Sequence, residues 1–145
     1  MRFIITARHD ETRPRPPGEE PTIDDALFAR YMKFNEEMHR AGVLVASEGI
    51  NPGAPAVRVG VSGGKRHVVD GPFTESKELV GGFYIIDVPS MEEARAWALR
   101  CPTGLGADDV LEIRQLTDMA DIPQRLLDLT AKVAPSWLAS LGRRQ

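Results

Sequence analysis

Asp70 is the residue in this chain best placed to do chemistry, because a hairpin ends on it and a rigid bend, Gly71-Pro72-Phe73, follows. Val57, Val59 and Val61 alternate, Ser62-Gly63-Gly64-Lys65 supplies a tight turn, and Arg66 to Asp70 returns. Gly-Gly suits the positive φ angles of a two-residue type I′ turn. In that register Val61 opposes Arg66, Val59 opposes Val68, and Val57 opposes Asp70. Directly opposed residues share a face, so the carboxylate falls among valines; a slip of one residue would reverse this. A carboxylate enclosed by apolar surface holds its proton more tightly and can act as a general acid or base. The competing role is structural, with Asp70 accepting hydrogen bonds from the amides near Phe73 and Thr74 and capping the bend.

Other polar groups are candidates to share a site with it. Glu48 and Asn51 follow the second strand, and Glu75 and Lys77 follow the bend. These segments can converge beside a cleft, although Glu75 and Lys77 also suit a solvated first helical turn. Arg114 presents a fork of donors to an anionic ligand, or pairs with Glu112 or with a carboxylate across a dimer. Phe73 and Tyr84 complete an expected pocket of Asp70, Phe73, Tyr84 and Arg114. His39 reads as an ordinary half-buried helix histidine, and His9, His39 and His67 show no metal-ligand spacing. Cys101 shares an apolar helix face with Trp97 and reads as packing. Gly60-Val61-Ser62-Gly63-Gly64-Lys65 lacks phosphate-loop spacing and precedes a strand. No metal and no cofactor are expected.

Composition narrows the class of partner. The chain has 145 residues, 42% hydrophobic and 27% charged, with a net charge of -3. That is one domain's worth of sequence, without the basic field of a nucleic-acid or anionic-membrane binder. One cysteine cannot form an internal disulfide, and no apolar run approaches the roughly 18 residues of a membrane span. A cytoplasmic protein that touches neither nucleic acid nor membrane is expected.

The elements that must position the candidates follow from periodicity. Residues 2–8 read as a strand with Phe3, Ile5 and Ala7 on one face and Ile4 and Thr6 on the other. A loop rich in proline and charge follows, with His9 in it. Thr22 then caps a helix over about 23–41, whose Leu27, Tyr31, Phe34 and Met38 share a face before Gly42 stops it. Val43 to Ser47 is a buried strand, the hairpin follows, and Gly81 to Val88 is another strand. Ser90 and Glu93 form a capping box for a helix carrying Ala94, Trp97, Ala98 and Cys101 on one side. Asp109 to Leu116 forms the last strand, with Leu111 and Ile113 opposite Glu112 and Arg114. Two strand-helix-strand halves around one sheet predict an α+β, ferredoxin-like fold over residues 1–116. Residues 117–145 read as a C-terminal helical extension, split in two by Pro135, whose apolar stripe is expected to pack on the same domain or across the dimer. Both main helices fit on only one face of so small a sheet. Leu116, Ile4 and either Ile85 or Ile86 must then point to the other, and such a patch predicts a homodimer closed face to face.

Asp70-Gly71-Pro72-Phe73, Glu75-Ser76-Lys77-Glu78 and Gly81-Gly82-Phe83-Tyr84 together resemble the signature of the YCII-related, or DGPF-domain, family. The resemblance takes in Phe34-Asn35-Glu36-Glu37, Ala41 to Leu44, Glu48-Gly49-Ile50, Ser90 to Cys101 and Glu112-Ile113-Arg114, covering about residues 2–116. It implies a bacterial, cytoplasmic, dimeric α/β-barrel protein. Some members carry a His/Asp pair in a pocket and are suspected enzymes. Others are linked with, or fused to, extracytoplasmic-function sigma factors. Relatives of this subtype often carry histidine where this chain has Asn51, and an amide does not titrate. Two functions are therefore expected: a small-ligand-binding or regulatory module with a sigma-factor or other transcription partner, or an enzyme using Asp70 on a small polar substrate.

Overall fold

Phe3, Ile5 and Ala7 are buried while Ile4 and Thr6 between them are half-buried, as the alternation requires. Their strand, β1 (Arg2–His9), runs through the middle of a four-stranded sheet. The computed structural model describes residues 1–9, 25–51, 55–71, 79–102 and 110–141. The chain continues through α1 (Asp25–Arg40), β2 (Leu44–Gly49), β3 (Val57–Ser62), β4 (Lys65–Asp70), β5 (Leu79–Asp87), α2 (Met91–Ala98) and β6 (Val110–Gln115). A 3-10 turn at Met119–Asp121 leads into α3 (Gln124–Val133) and α4 (Pro135–Leu141). The protein is thus an α+β fold. Its main sheet has the order β2-β5-β1-β6, with each neighbouring pair antiparallel.

Helix α1 puts Phe34 and Met38 on the sheet, and α2 adds Ala94 and Ala98 beside them. These meet Phe3, Ile5, Tyr84, Ile86 and Val88 in one apolar layer, flanked by Leu111 and Ile113. Burying a side chain of this size stabilises the fold by about 1.5–3 kcal/mol. The Ser90 hydroxyl accepts from the Glu93 amide at 3.2 Å, which starts α2 where its capping residues predict. Gly42, at φ 71, ends the turn after α1 in the left-handed conformation that glycine adopts without strain.

The hairpin has the expected register. Val57 pairs with Asp70, Val59 with Val68 and Val61 with Arg66. Gly63 and Gly64 both take positive φ, 56° and 74°, as a type I′ turn demands. The arm forms a two-stranded sheet of its own, and β3 and β4 pack chiefly on each other. Its valines are consequently open, with Val59 at 65% and Val61 at 70% exposure.

The sequence expectation needs adjusting at several boundaries. His9 ends β1 instead of lying in the following loop, β2 runs on to Gly49, and β5 begins at Leu79. His39 is exposed, not half-buried, because one further residue turns it about 100° away from Met38 and off the Phe34–Met38 stripe. Pro135 does open the second tail helix. Helices α3 and α4 pack on one another, and Leu126, Leu129, Val133 and Trp137 remain exposed. The proposed cap at Thr22 and the loop at 10–21 lie outside the described residues.

Candidate functional site

The sheet has one face under the helices and one face that neither main helix covers. Register assigns each side chain to a face. Ile85 pairs with Ile4 and Ala46, and Ile4 pairs in turn with Arg114. One step along, Phe83 pairs with Thr6 and Glu48, and Thr6 pairs with Glu112. The open face therefore carries a half-buried apolar centre of Ile4, Phe83 and Ile85. Polar groups flank it: Glu48 on edge strand β2, and Glu112 with Arg114 on edge strand β6. The Arg114 Nε donates to Glu112 Oε1, the nearer of the partners its sequence position offered.

Asp70 shares the hairpin's valine face, but that face is exposed and so is Asp70. The apolar enclosure that acid–base chemistry would need is not supplied by the described part of its own chain. The Gly71 amide donates to the Ala56 carbonyl at 2.8 Å and closes the base of the arm. Phe73, Glu75, Lys77 and the Thr74 amide that Asp70 was expected to cap lie outside the described residues. Glu48 and Asn51 are both exposed.

Tyr84 corrects the expected pocket. It pairs with Ile5, and Ile5 with Ile113, so it belongs to the row beneath the helices. Arg114 belongs to the Ile4 row, and the two side chains point to opposite faces because successive residues of a strand alternate. Tyr84 is 9% exposed, and its ring meets Phe34 edge-on at 5.7 Å. Its hydroxyl shares hydrogen bonds with Ser47 and Cys101. The Asn35 Nδ2 donates to the Ser47 Oγ at 3.2 Å, while the buried Asn35 Oδ1 has no partner. This polar chain was not apparent from the sequence, since its members come from α1, β2, β5 and the end of α2 with no common spacing. Cys101 is buried there as packing, as expected.

Among the described residues no three His, Cys, Asp or Glu side chains gather as a metal site. No described helix is long and apolar enough to cross a membrane. Comparison with known proteins adds the decisive observation: the YCII-related domain matches residues 1–120. The chain belongs to the YCII-related family. This YCII-related chain is also 36% identical over 118 residues to an uncharacterized protein of Rhizobium meliloti (strain 1021), covering 80% of this chain and 92% of that protein. Among solved structures it is similar to 5-chloro-2-hydroxyhydroquinone dehydrochlorinase from Burkholderia phenoliruptrix AC1100, in complex with 2,5-dihydroxybenzoquinone. The identity is 18%, the coverage 84% of this chain and 100% of that one, and the TM-score 0.38, too low to carry an argument.

Burial raises the proton affinity of Tyr84 above the ordinary tyrosine value of 10.0, with the neighbouring Cys101 and Tyr31 adding to the effect. The folded YCII-related protein thus holds this proton more tightly than the unfolded chain does. Its contribution to stability is full below the unfolded value and is lost as pH rises above it. Urea midpoints measured from pH 9 to about 11 should fall. The fall should be shallower in Tyr84→Phe, and equal slopes for the two proteins would show that Tyr84 is not the group responsible.

Proposed function

We propose that this YCII-related protein is a dimeric small-ligand-binding module, with ferredoxin-like subunits that close their open sheet faces on each other. The observation that carries the reading is the adjacent row of Ile4, Phe83 and Ile85 on the face that neither main helix covers. The strand order supports the ferredoxin-like topology, because each strand-helix-strand half spans one strand of the other half. The exposed hairpin valines and the Leu129, Val133 and Trp137 stripe offer further apolar surface to a second copy. In such a dimer Glu48, Glu112 and Arg114 line the rim, and the arm carries Asp70 towards an enclosure that the described residues of its own chain do not supply. A sigma factor or other transcription partner belongs to the same reading and rests on the motif resemblance.

Sedimentation equilibrium tests the dimer. The wild type is expected to sediment as a dimer at micromolar concentration, since a well-packed interface of standard size reaches about micromolar affinity or better. Ile85→Glu should sediment as a folded monomer, because it places an unpaired charge in the centre of the face. A wild type that stays monomeric at about 100 µM would end the proposal.

The enzyme reading divides from the binding reading at Asp70. A screen of small polar compounds by thermal shift identifies binders through their stabilisation of the folded state. Asp70→Asn should then keep the melting temperature and lose the response to those compounds if the carboxylate contacts ligand. Turnover of a binder by wild type and not by Asp70→Asn would favour the enzyme. A large loss of stability with unchanged binding would reduce Asp70 to a cap of the bend.

A further inference from the structure

On the helix side of the sheet, away from the proposed interface, α1 and the segment after α2 flank an open surface cleft of about 220 Å³. Its lining is Arg30, Lys33, Phe34, Glu37, Arg100 and Pro102. Arg30 and Lys33 stand one turn apart on α1 and so project on the same side. Arg100 arrives from the end of α2. The cleft is therefore built from two distant stretches of chain, not from one helix surface.

Arg100 is held in place twice. Its guanidinium lies 4.5 Å from the centre of the Trp97 ring, and it is ion-paired with Glu37. Stacking on the ring fixes the plane of the fork, and the carboxylate fixes its direction, so little side-chain freedom is left to lose when an anion docks. The Glu37 charge is matched by Arg100. Among the described residues the side chains of Arg30 and Lys33 have no ion-pair partner. Among the described residues lining the cleft two positive charges are left over, in a chain whose net charge is -3. The floor is apolar: Phe34 and Pro102 are buried, and the Trp97 ring packs on Phe34 at 6.1 Å.

We propose that this cleft binds a small organic dianion with a flat apolar body, a phosphate monoester or a dicarboxylate. The charge excess matches two negative charges, and the floor matches a ring or short hydrocarbon. Both acids present the same chemistry to the site, planar or forked oxygens to Arg100 and point charges to Arg30 and Lys33.

The test uses phenyl phosphate and phthalate, with phenol and inorganic phosphate as partial ligands. At pH 8 a phosphate monoester is a dianion, its second pKa being about 6. The full chain carries Trp137→Phe, so that Trp97, beneath Arg100, is the one remaining tryptophan and its emission reports the cleft. Phenyl phosphate, phthalate or both should change that emission saturably, and added salt should weaken the response. The ligand that saturates identifies the source of the dianion. Arg30→Gln and Lys33→Gln, both at exposed positions, should each weaken binding about tenfold, the scale of one charge-assisted hydrogen bond. Phenol and inorganic phosphate should each bind more weakly than phenyl phosphate. The absence of saturation by both dianions at tens of millimolar, or unchanged binding when Arg30→Gln and Lys33→Gln are combined, would overturn the proposal. Inorganic phosphate binding as tightly as phenyl phosphate would overturn the role of the floor. Ile85→Glu should leave this binding intact, so the cleft and the dimer stand or fall separately.

Discussion

Phe34→Ala should lower stability by about 3–5 kcal/mol, read as a fall in the urea midpoint at unchanged slope. Phe34 is 5% exposed and joins three parts of the molecule. Its ring meets Tyr84 of β5 at 87° and Trp97 of α2 at 60°, so it fastens α1 to both the sheet and the second helix. Edge-on pairs of this kind add about 0.5–1.5 kcal/mol beyond the area they bury. An alanine here leaves a cavity lined by rings that cannot all collapse into it. Phe34→Leu retains most of the volume and should cost under about 2 kcal/mol. The difference between the two variants measures the cavity and the lost ring contacts. Because Phe34 also floors the cationic cleft, the leucine variant should weaken phenyl phosphate more than inorganic phosphate. A stability loss below about 1 kcal/mol for the alanine variant would mean that α1 is held mainly by other contacts.

Gly82→Ala is expected to cost about 1–3 kcal/mol and to loosen one edge of the sheet selectively. A methyl group on Gly82 would stand 2.8 Å from the Glu48 carbonyl oxygen and 3.4 Å from the Gly49 Cα. Both obstacles are backbone, so no side chain can swing aside, and strand β2 itself must move. Gly82 pairs with Gly49, and just beyond them the Ile50 amide donates to the Gly81 carbonyl at 2.9 Å. The shift should appear as faster amide exchange at Ile50, with amides in β1 and β6 little changed. Gly49→Ala is the matched control: its added methyl meets nothing within 4 Å, and stability should change by under about 1 kcal/mol. Equal effects of the two substitutions would show that close packing of β2 on β5 is not what requires glycine at 82. Glu48 belongs to the displaced strand, so any ligand that uses the open face near it should bind Gly82→Ala more weakly.

Several features were legible in the order of residues because they depend on neighbours a few positions apart. Alternation in β1 separates Phe3, Ile5 and Ala7 from Ile4 and Thr6, and the Gly63-Gly64 turn pins Asp70 opposite Val57. The spacing of Phe34 and Met38 marks the buried stripe of α1, Ser90 marks the start of α2, and Pro135 divides the tail helices. Those signals are local, and local backbone geometry suffices to express them. They also carried the family, whose domain matches residues 1–120. Which face of a strand meets a helix is another matter, because period-two alternation defines two faces without saying which is covered. Tyr84 and Arg114 were expected in one pocket. The pairing of β5 and β6 through β1 puts one under α1 and the other on the open side. The cleft of Arg30, Lys33 and Arg100 was equally invisible, since its residues lie about seventy positions apart and meet only when both helices pack on one layer of side chains. Spacing along the chain decides what a segment presents; long-range packing decides what it is presented to.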